Sequence, residues 1–109
     1  MEGFSFVFDP AEKIVRCKFT GRMDTIRSNG AMEAFKKEFD NVLSSGVIAK
    51  ELRICFDLKD VDYISSSFLR LCKSATRDIT QGNFSIINTG PEIMKVFKIA
   101  GLDSLLNVS

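Results

Sequence analysis

The chain has 109 residues, of which 45% are hydrophobic and 27% charged, as in a single folded domain. This composition excludes global disorder. The 15 basic and 14 acidic residues give a formal net charge of +1, which opposes a strongly basic nucleic-acid or membrane-surface binder. The sequence contains no histidine, and this excludes Ser-His-Asp catalysis, Cys-His catalysis and every histidine-ligated metal site.

The three cysteines, Cys17, Cys55 and Cys72, lie in apolar stretches at a spacing that matches no zinc or redox motif. We interpret them as reduced core thiols, since an odd number fits poorly with a disulfide framework and indicates a reducing compartment. The N-terminus lacks the basic start and apolar block of a signal peptide, and no apolar run is long enough to span a bilayer. The sequence therefore predicts a soluble, cytoplasmic protein without membrane insertion.

The first elements in chain order are two strands. Phenylalanine recurs at every second position over residues 4–8, and apolar and polar residues alternate over residues 15–20; both have the period of a half-buried strand. Asp9 and Pro10 between them form a turn signal, and Gly21 ends the second run. Two strands joined by so short a turn are expected to pair as an antiparallel hairpin.

A helix is predicted next, over Ser28–Ser44. Its apolar residues recur at helical spacing, and charged residues fill the opposite face. Either Ser28 or Asn29 is expected to cap its start, and Gly46 suits its end.

Four further elements complete the chain, followed by a short terminal piece. They are a buried strand over Leu52–Leu58, a helix over Ser66–Thr80 that Gly82 stops, a strand over Phe84–Asn88, and a helix that Pro91 opens and Gly101 closes. The order β-β-α-β-α-β-α predicts the α/β class. We expect one mixed sheet of about four strands, with an antiparallel N-terminal hairpin, parallel pairs elsewhere and helices packed on it.

Motifs of catalysis and cofactor binding are missing from the sequence. It contains no glycine-rich phosphate loop, no HExxH, no GxSxG and no paired-cysteine metal motif. Asp57, Asp60 and Asp62 come nearest to a carboxylate cluster, and we interpret them as solvated or turn-forming residues. We assign no catalytic residue, no metal site and no cofactor, and we predict that the chain is not an enzyme.

Three consecutive serines, Ser65, Ser66 and Ser67, stand at a strand-to-helix junction. Serine is a preferred N-cap, but a cap needs only one hydroxyl. The unpaired N–H groups and the dipole at a helix start favour an anion there, so a phosphoryl group on such a serine would be tolerated locally. It would change the surface charge by about −1.5 to −2. The junction is therefore a candidate phosphorylation switch.

Several motifs, in order along almost the whole chain, resemble those of the STAS domain, the fold of bacterial anti-sigma factor antagonists. Residues 56–66 resemble that family's strand and phosphorylation loop, and Y-I-S-S-S-F-L-R over Tyr63 to Arg70 is similar to the family version Y-I-S-S-A-G-L-R. Residues 88–103 resemble its last helix with the G-L-D ending, and Gly21 to Asp24 resembles its G-x-x-D turn.

This resemblance implies that residues 1–109 form a single STAS-like domain that binds proteins. In the antagonist branch, the unphosphorylated form binds an anti-sigma factor that is also a serine kinase, and this frees a sigma factor for transcription. Phosphorylation of a loop serine releases the kinase, and a PP2C-type phosphatase reverses the mark. The resemblance leaves the oligomeric state open.

By motif position, the resemblance assigns phosphorylation to Ser66, with Ser65 and Ser67 as alternatives. Asp24 matches the acidic turn residue expected near it. Thr89 follows the fourth strand, and βαβ geometry predicts that its loop emerges at the same sheet edge as Ser66.

The chain departs from the family pattern at two positions. Phe68 stands where the family has glycine, and Ser67 replaces a small alanine. The Phe68 ring is expected either to pack inward on the sheet or to present an aromatic surface to a partner. The candidate partner-binding residues are therefore Asp24, Ser65, Ser66, Ser67, Phe68 and Thr89.

A second function stays open beside the phosphorylation switch. In it, the chain is a STAS scaffold or an accessory subunit of a signalling complex or transport system, and its serines are never phosphorylated. Constitutive co-purification with a complex or a membrane would distinguish this function from the switch.

Overall fold

The elements follow the order that the sequence pattern predicts, β-β-α-β-α-β-α. The structure is a computed structural model that describes residues 3–109. Its strands and helices are β1 (Phe4–Asp9), β2 (Ile14–Met23), α1 (Thr25–Ser44), β3 (Arg53–Ile64), α2 (Ser66–Ala75), β4 (Phe84–Ile87) and α3 (Pro91–Ile99). A 3₁₀ turn at Ala49–Glu51, which the sequence pattern does not indicate, precedes β3.

The four strands form one mixed sheet in the order β1-β2-β3-β4. The β1–β2 pair is antiparallel, and the β2–β3 and β3–β4 pairs are parallel, as predicted. One row across the sheet joins Phe6, Cys17, Phe56 and Ile86. The neighbouring row, on the opposite face, contains Arg16, Cys55 and Ser85, which are exposed or half-buried. One face of the sheet therefore carries the core.

Phenylalanine rings bind the helices to that face. Phe35 of α1 and Phe68 of α2 both contact Phe56 of β3, with centroids 6.1 and 6.3 Å apart. Phe19 of β2 packs edge-on against Phe56 at 4.9 Å and against Phe68 at 5.2 Å. Edge-to-face pairs of this kind add about 0.5–1.5 kcal/mol each to the burial of their area. This packing holds the first turn of α2 over the interior of β2 and β3.

The start of α1 differs from the sequence prediction. The helix begins at Thr25, and its N-cap is Asp24, whose carboxylate accepts a hydrogen bond from the Arg27 N–H at 2.9 Å. Ser28, one of the two predicted caps, lies inside the helix and donates to the Met23 carbonyl at 3.1 Å. Aspartate and serine are equally good N-caps, so residue type alone does not choose between Asp24 and Ser28. The first turn of α1 also lacks the apolar periodicity by which a helix is found in a sequence.

Several predicted ends were also wrong. β2 continues past Gly21 to Met23, and β3 continues past Leu58 to Ile64, because bulges in the β2–β3 ladder keep the two strands paired. α2 ends at Ala75 rather than Thr80, and β4 ends at Ile87 rather than Asn88. Near the C-terminus, Val108 bridges to Ile86 in parallel and extends the sheet.

Gly21 occupies a position that another residue would strain. Its φ is +77°, and an added Cβ would lie 3.0 Å from a guanidinium nitrogen of Arg27. L-residues with a side chain rarely adopt this conformation. The glycine therefore keeps the β2 bulge beside Arg27 without strain.

The three cysteines are free thiols with different exposure. Cys17 and Cys72 are buried, and Cys55 is half-buried on the opposite face of the sheet. Burial raises the pKa of the Cys17 and Cys72 thiols well above the ordinary value. The interpretation as core thiols is therefore correct for two of the three.

This difference predicts selective alkylation. We expect iodoacetamide to modify Cys55 first in the native protein, since Cys55 is the most accessible of the three. It should reach Cys17 and Cys72 only on unfolding, because burial blocks access to them and disfavours their thiolates. Mass spectrometry over a time course measures the three rates. A Cys55→Ser variant is the control and should stay unmodified under native conditions. Equal rates at all three sites would contradict the burial described above.

Candidate functional site

The carboxyl ends of two parallel strands meet the starts of two helices at one edge of the sheet. β2 ends at Met23 and leads into Asp24, and β3 ends at Ile64 and leads into Ser65. The Ser65 N–H donates to the Met23 carbonyl at 3.0 Å and joins the two junctions. Such an edge is where loops of an α/β sheet collect functional groups.

Ser65 is the N-cap of α2. Its backbone is extended, with φ −101° and ψ 171°, and its hydroxyl accepts a hydrogen bond from the Phe68 N–H at 3.3 Å. The same hydroxyl lies 3.5 Å from that of Ser28, and Ser65 is buried. Its hydroxyl is therefore engaged in structure.

Ser67 is also engaged. Its side chain is 1% exposed, and its hydroxyl accepts a hydrogen bond from the Arg70 guanidinium at 2.8 Å. A kinase could not reach this oxygen without unfolding the first turn of α2.

Ser66 is the exposed member of the three. It is the first residue of α2, and within residues 3–109 no group hydrogen-bonds its hydroxyl. The N–H groups of the first helical turn lack intrahelical partners, which makes this end of α2 favourable for an anion. Of the three serine hydroxyls, only that of Ser66 is both accessible and free of a structural bond.

The family of the chain follows from comparison with known proteins. A model of the STAS domain matches residues 10–109. The chain belongs to the STAS family. The resemblance drawn from the motifs is therefore confirmed, while a comparison with curated proteins gives no significant match.

Solved structures share the fold of this STAS domain. An anti-sigma factor antagonist from Mycobacterium paratuberculosis has a TM-score of 0.69 at 15% identity, over 98% of this chain and 86% of that one. The anti-sigma factor antagonist SpoIIAA in its unphosphorylated form gives 0.64 at 18% identity, over 97% and 87%. The Bacillus cell fate determinant SpoIIAA in the phosphorylated form gives 0.62 at 18% identity, over 97% and 90%. At these identities the likeness establishes the fold alone.

Asp24 lies next to the serines of this STAS domain. It is half-buried, and the bond between Met23 and Ser65 brings its junction against that of α2. Its carboxylate already caps α1, so its charge is held at this edge. Asp24 and Ser66 thus flank the same strand ends.

Thr89 lies in the loop after β4, away from the serine junction along β3. The last β3–β4 pair is Asp57 with Ile87, and β3 then runs on to Ile64 before the serines begin. The Asn88 amide donates to Asp57 at 3.1 Å and holds the loop there. The Thr89 hydroxyl is buried and has no hydrogen-bond partner in residues 3–109. No hydrogen bond in this part of the chain joins Thr89 to the serines.

Phe68 points inward. Its ring is fully buried and contacts Phe19 and Phe56, which is the first of the two arrangements expected for it. The structure therefore places this side chain in the core, with no exposed surface to offer a partner.

Two of the three aspartates of β3, Asp57 and Asp60, have structural partners. Asp57 accepts hydrogen bonds from the Lys59 N–H and from Asn88, and Asp60 lies 3.7 Å from the Lys18 ammonium. Among residues 3–109, no group of three such side chains is arranged to hold a metal ion. In the same range, every helix is too short or too polar to cross a bilayer.

Apolar groups that the sequence reasoning missed stand at the same sheet edge. Tyr63 is 40% exposed, and the Arg22 guanidinium stacks over its ring at 4.2 Å. Ile26, in the first turn of α1, is 82% exposed. The ends of β2 and β3 and the start of α1 thus present a ring, a cation and an aliphatic side chain at the sheet edge that also carries Ser66. In the sequence, the signal for this surface was Ile26, an isoleucine among polar residues at the helix start. It lies outside the apolar stripe from which α1 was predicted.

The serine geometry predicts that two similar substitutions change the stability by different amounts. Ser65→Ala removes the N-cap of α2 and is expected to lower the free energy of unfolding by about 0.5–2 kcal/mol. Ser66→Ala removes an exposed hydroxyl without a bonding partner and should change it by less than about 0.5 kcal/mol. Urea unfolding of both variants measures the difference. A larger loss for Ser66→Ala than for Ser65→Ala would contradict the assignment of the cap.

Proposed function

We propose that this STAS domain is a phosphorylation-regulated binding module of the anti-sigma factor antagonist type. Its unphosphorylated form binds an anti-sigma factor that is also a serine kinase, and phosphorylation of Ser66 releases that partner. A PP2C-type phosphatase restores the binding form, and the cycle regulates transcription in the cytoplasm. The observation that carries the proposal is the exposed, unbonded hydroxyl of Ser66 at the start of α2.

The choice of Ser66 rests on the state of its neighbours. The Ser65 hydroxyl caps α2, and the Ser67 hydroxyl is buried and bonded to Arg70. Phosphorylating either would break a bond and bury a dianion, which costs several kcal/mol unless cations pair with it. A phosphate on Ser66 would instead project into solvent and be favoured by the helix dipole.

The surroundings of Ser66 explain how one phosphate would release a partner. The exposed side chains of Ile26 and Tyr63 offer apolar contact to a partner. A partner seated on them and on Ser66 would exclude water from the Ser66 hydroxyl. A dianion introduced there would be desolvated and would face the nearby carboxylate of Asp24. Since about 1.4 kcal/mol separates tenfold affinities, these effects suffice for release without a change of fold.

The fold comparison is consistent with such a mechanism. SpoIIAA is known in an unphosphorylated and a phosphorylated form, and this chain matches the two to a similar degree, with TM-scores of 0.64 and 0.62. For this chain we therefore expect phosphorylation to change the charge of the contact surface and to leave the backbone largely unaltered.

A phosphotransfer assay tests the proposal. The purified chain is incubated with radiolabelled ATP and an extract of its own cells, and incorporated phosphate is measured. We expect the wild type and Ser104→Ala, an exposed serine away from the site, to be labelled equally. Ser66→Ala should lose the label, and a PP2C-type phosphatase with its metal should remove it from the wild type.

Two results would contradict the proposal. Equal labelling of Ser66→Ala and the wild type would assign phosphate to another residue. If no extract from growing or stressed cells labelled the wild type, the chain would act as the unphosphorylated scaffold or accessory subunit.

A further inference from the structure

A cationic groove runs between α1 and α2 on the outer surface of the domain. It has a volume of about 330 Å³ and is lined by Met32, Lys36, Arg70, Lys73, Ser74 and Arg77. Four of these six side chains are cationic and none is acidic. We refer to this surface as the α1–α2 groove.

In the described part of the chain, none of the four groove cations forms an ion pair. The ion pairs within residues 3–109 are Lys13–Glu51, Arg16–Asp9, Lys18–Asp60 and Arg53–Glu12, and none of these residues lines the groove. Arg70 donates to the Ser67 hydroxyl, a partner that carries no negative charge. Asp40 and Asp78 line an adjoining hollow together with Lys36 and Arg77, so the uncompensated positive charge of the groove is centred on Arg70 and Lys73. An anionic ligand there would relieve the repulsion among the cations.

The groove is continuous with the proposed phosphorylation site. Arg70, Lys73 and Arg77 stand four, seven and eleven residues after Ser66, so they follow it along one side of α2 and the turn beyond it. All three are exposed. A partner seated over Ser66 would therefore meet this row of cations next.

We propose that the α1–α2 groove binds an acidic segment of the partner protein, and the partnership itself rests on the proposed function above. The segment would carry carboxylates at helical spacing opposite Lys36, Arg70 and Lys73. The site thus defines a chemistry for the partner that the motif resemblance does not supply.

The shape and charge of the surface favour a protein segment over a nucleic acid. The row from Arg70 to Arg77 is only about 10 Å long at 1.5 Å per residue, and the net charge of the chain is +1, so no extended field attracts a polyanion. Met32 gives the groove an apolar patch. A neighbouring hollow of about 220 Å³ adds Phe35 and Phe39, together with the carboxylates of Asp40 and Asp78. Mixed apolar and charged lining of this kind suits an amphipathic segment.

A titration followed by NMR tests the groove without need of the natural partner. The ¹⁵N-labelled full chain is titrated with a short helical peptide that presents glutamates at i, i+4 and i+7 with leucines between them. The same peptide with lysines in place of the glutamates is the control ligand, and a short DNA duplex is the competing anion. We expect amide shifts to cluster on α1 and α2 around the groove, for the glutamate peptide alone.

Matched variants locate the binding. Lys36→Glu with Lys73→Glu should weaken the glutamate peptide about tenfold or more, as expected when charge pairs are reversed. Lys95→Glu with Lys98→Glu makes the same charge change on exposed positions of α3 and should leave the affinity nearly unchanged. If the charge-reversed variant does not fold, Lys36→Gln with Lys73→Gln replaces it, and this neutral variant should also bind the glutamate peptide more weakly than the wild type.

Three results would overturn the inference: shifts centred on α3, equal effects of the two charge reversals, or tighter binding of the duplex at the groove. The last would assign the groove to nucleic acid. Because the peptide needs no phosphate, Ser66→Ala should bind it as the wild type does. The peptide titration therefore tests the groove independently of whether Ser66 is phosphorylated.

Discussion

Replacing Ser66 with glutamate is expected to weaken binding of the protein partner about a hundredfold or more, which corresponds to about 2.7 kcal/mol. In the proposed contact surface the carboxylate would be desolvated, at the sheet edge that also carries Asp24, Tyr63 and Ile26. Ser66→Ala should bind within a few-fold of the wild type, since it keeps the surface neutral. Calorimetric titration with the partner captured on immobilised Ser66→Ala measures both affinities.

The stability of the Ser66→Glu variant provides the control for this experiment. An acidic residue in the first turn of a helix interacts favourably with the helix dipole, by about 0.3–1 kcal/mol. We therefore expect its melting temperature to equal or exceed that of the wild type, so that lost binding cannot be ascribed to unfolding. Ser104→Glu adds the same charge away from the site and should bind normally. Equal binding by the Ser66 and Ser104 glutamate variants would contradict a contact surface centred on Ser66.

Replacing Phe68 with alanine is expected to cost about 3–5 kcal/mol of unfolding free energy. The ring is fully buried and contacts Phe19 and Phe56, so its removal opens a cavity where α2 rests on the sheet. Phe68→Gly, which restores the residue common in the family, should cost about 1 kcal/mol more because glycine disfavours the helix. A loss of this size is a large part of the 5–15 kcal/mol typical of a whole domain.

Urea unfolding monitored by circular dichroism measures these losses. Tyr63→Ala is the matched control, since it removes a ring that is 40% exposed and should cost far less. A loss below about 1 kcal/mol for Phe68→Ala would mean that the core collapses around the gap or that the ring does not pack inward.

The strands and helices could be predicted from the sequence where local pattern and tertiary packing agree. The alternation over β1 and β2 with Asp9 and Pro10 between them gives the hairpin, and Pro91 marks the start of α3. The start of α1 was misassigned because its first turn carries no periodic apolar signal, and because Ser28 and Asn29, which lie inside the helix, are also residues that can cap one. The extension of β3 to Ile64 depends on pairing with β2, which no local pattern encodes.

The candidate site, too, could be predicted from the sequence only in part. The run of serines and the motif around it point to the junction, but the choice among three hydroxyls depends on side-chain contacts. Ser28 approaches Ser65 from α1, and Arg70 bonds Ser67 from one turn further along α2. The inward position of Phe68 likewise depends on Phe19, which lies on β2. The α1–α2 groove depends on Lys36 of α1 facing three cations that are distant in sequence.

Mapping of phosphate on the chain isolated from its own cells tests the central claim most directly. Trypsin releases residues 60–70 as one peptide that holds all three serines, and fragment ions distinguish them. We predict phosphate on Ser66, sensitive to phosphatase, with Ser65 and Ser67 unmodified. Phosphate on Ser65 or Ser67, or an unmodified peptide across growth and stress conditions, would contradict the account.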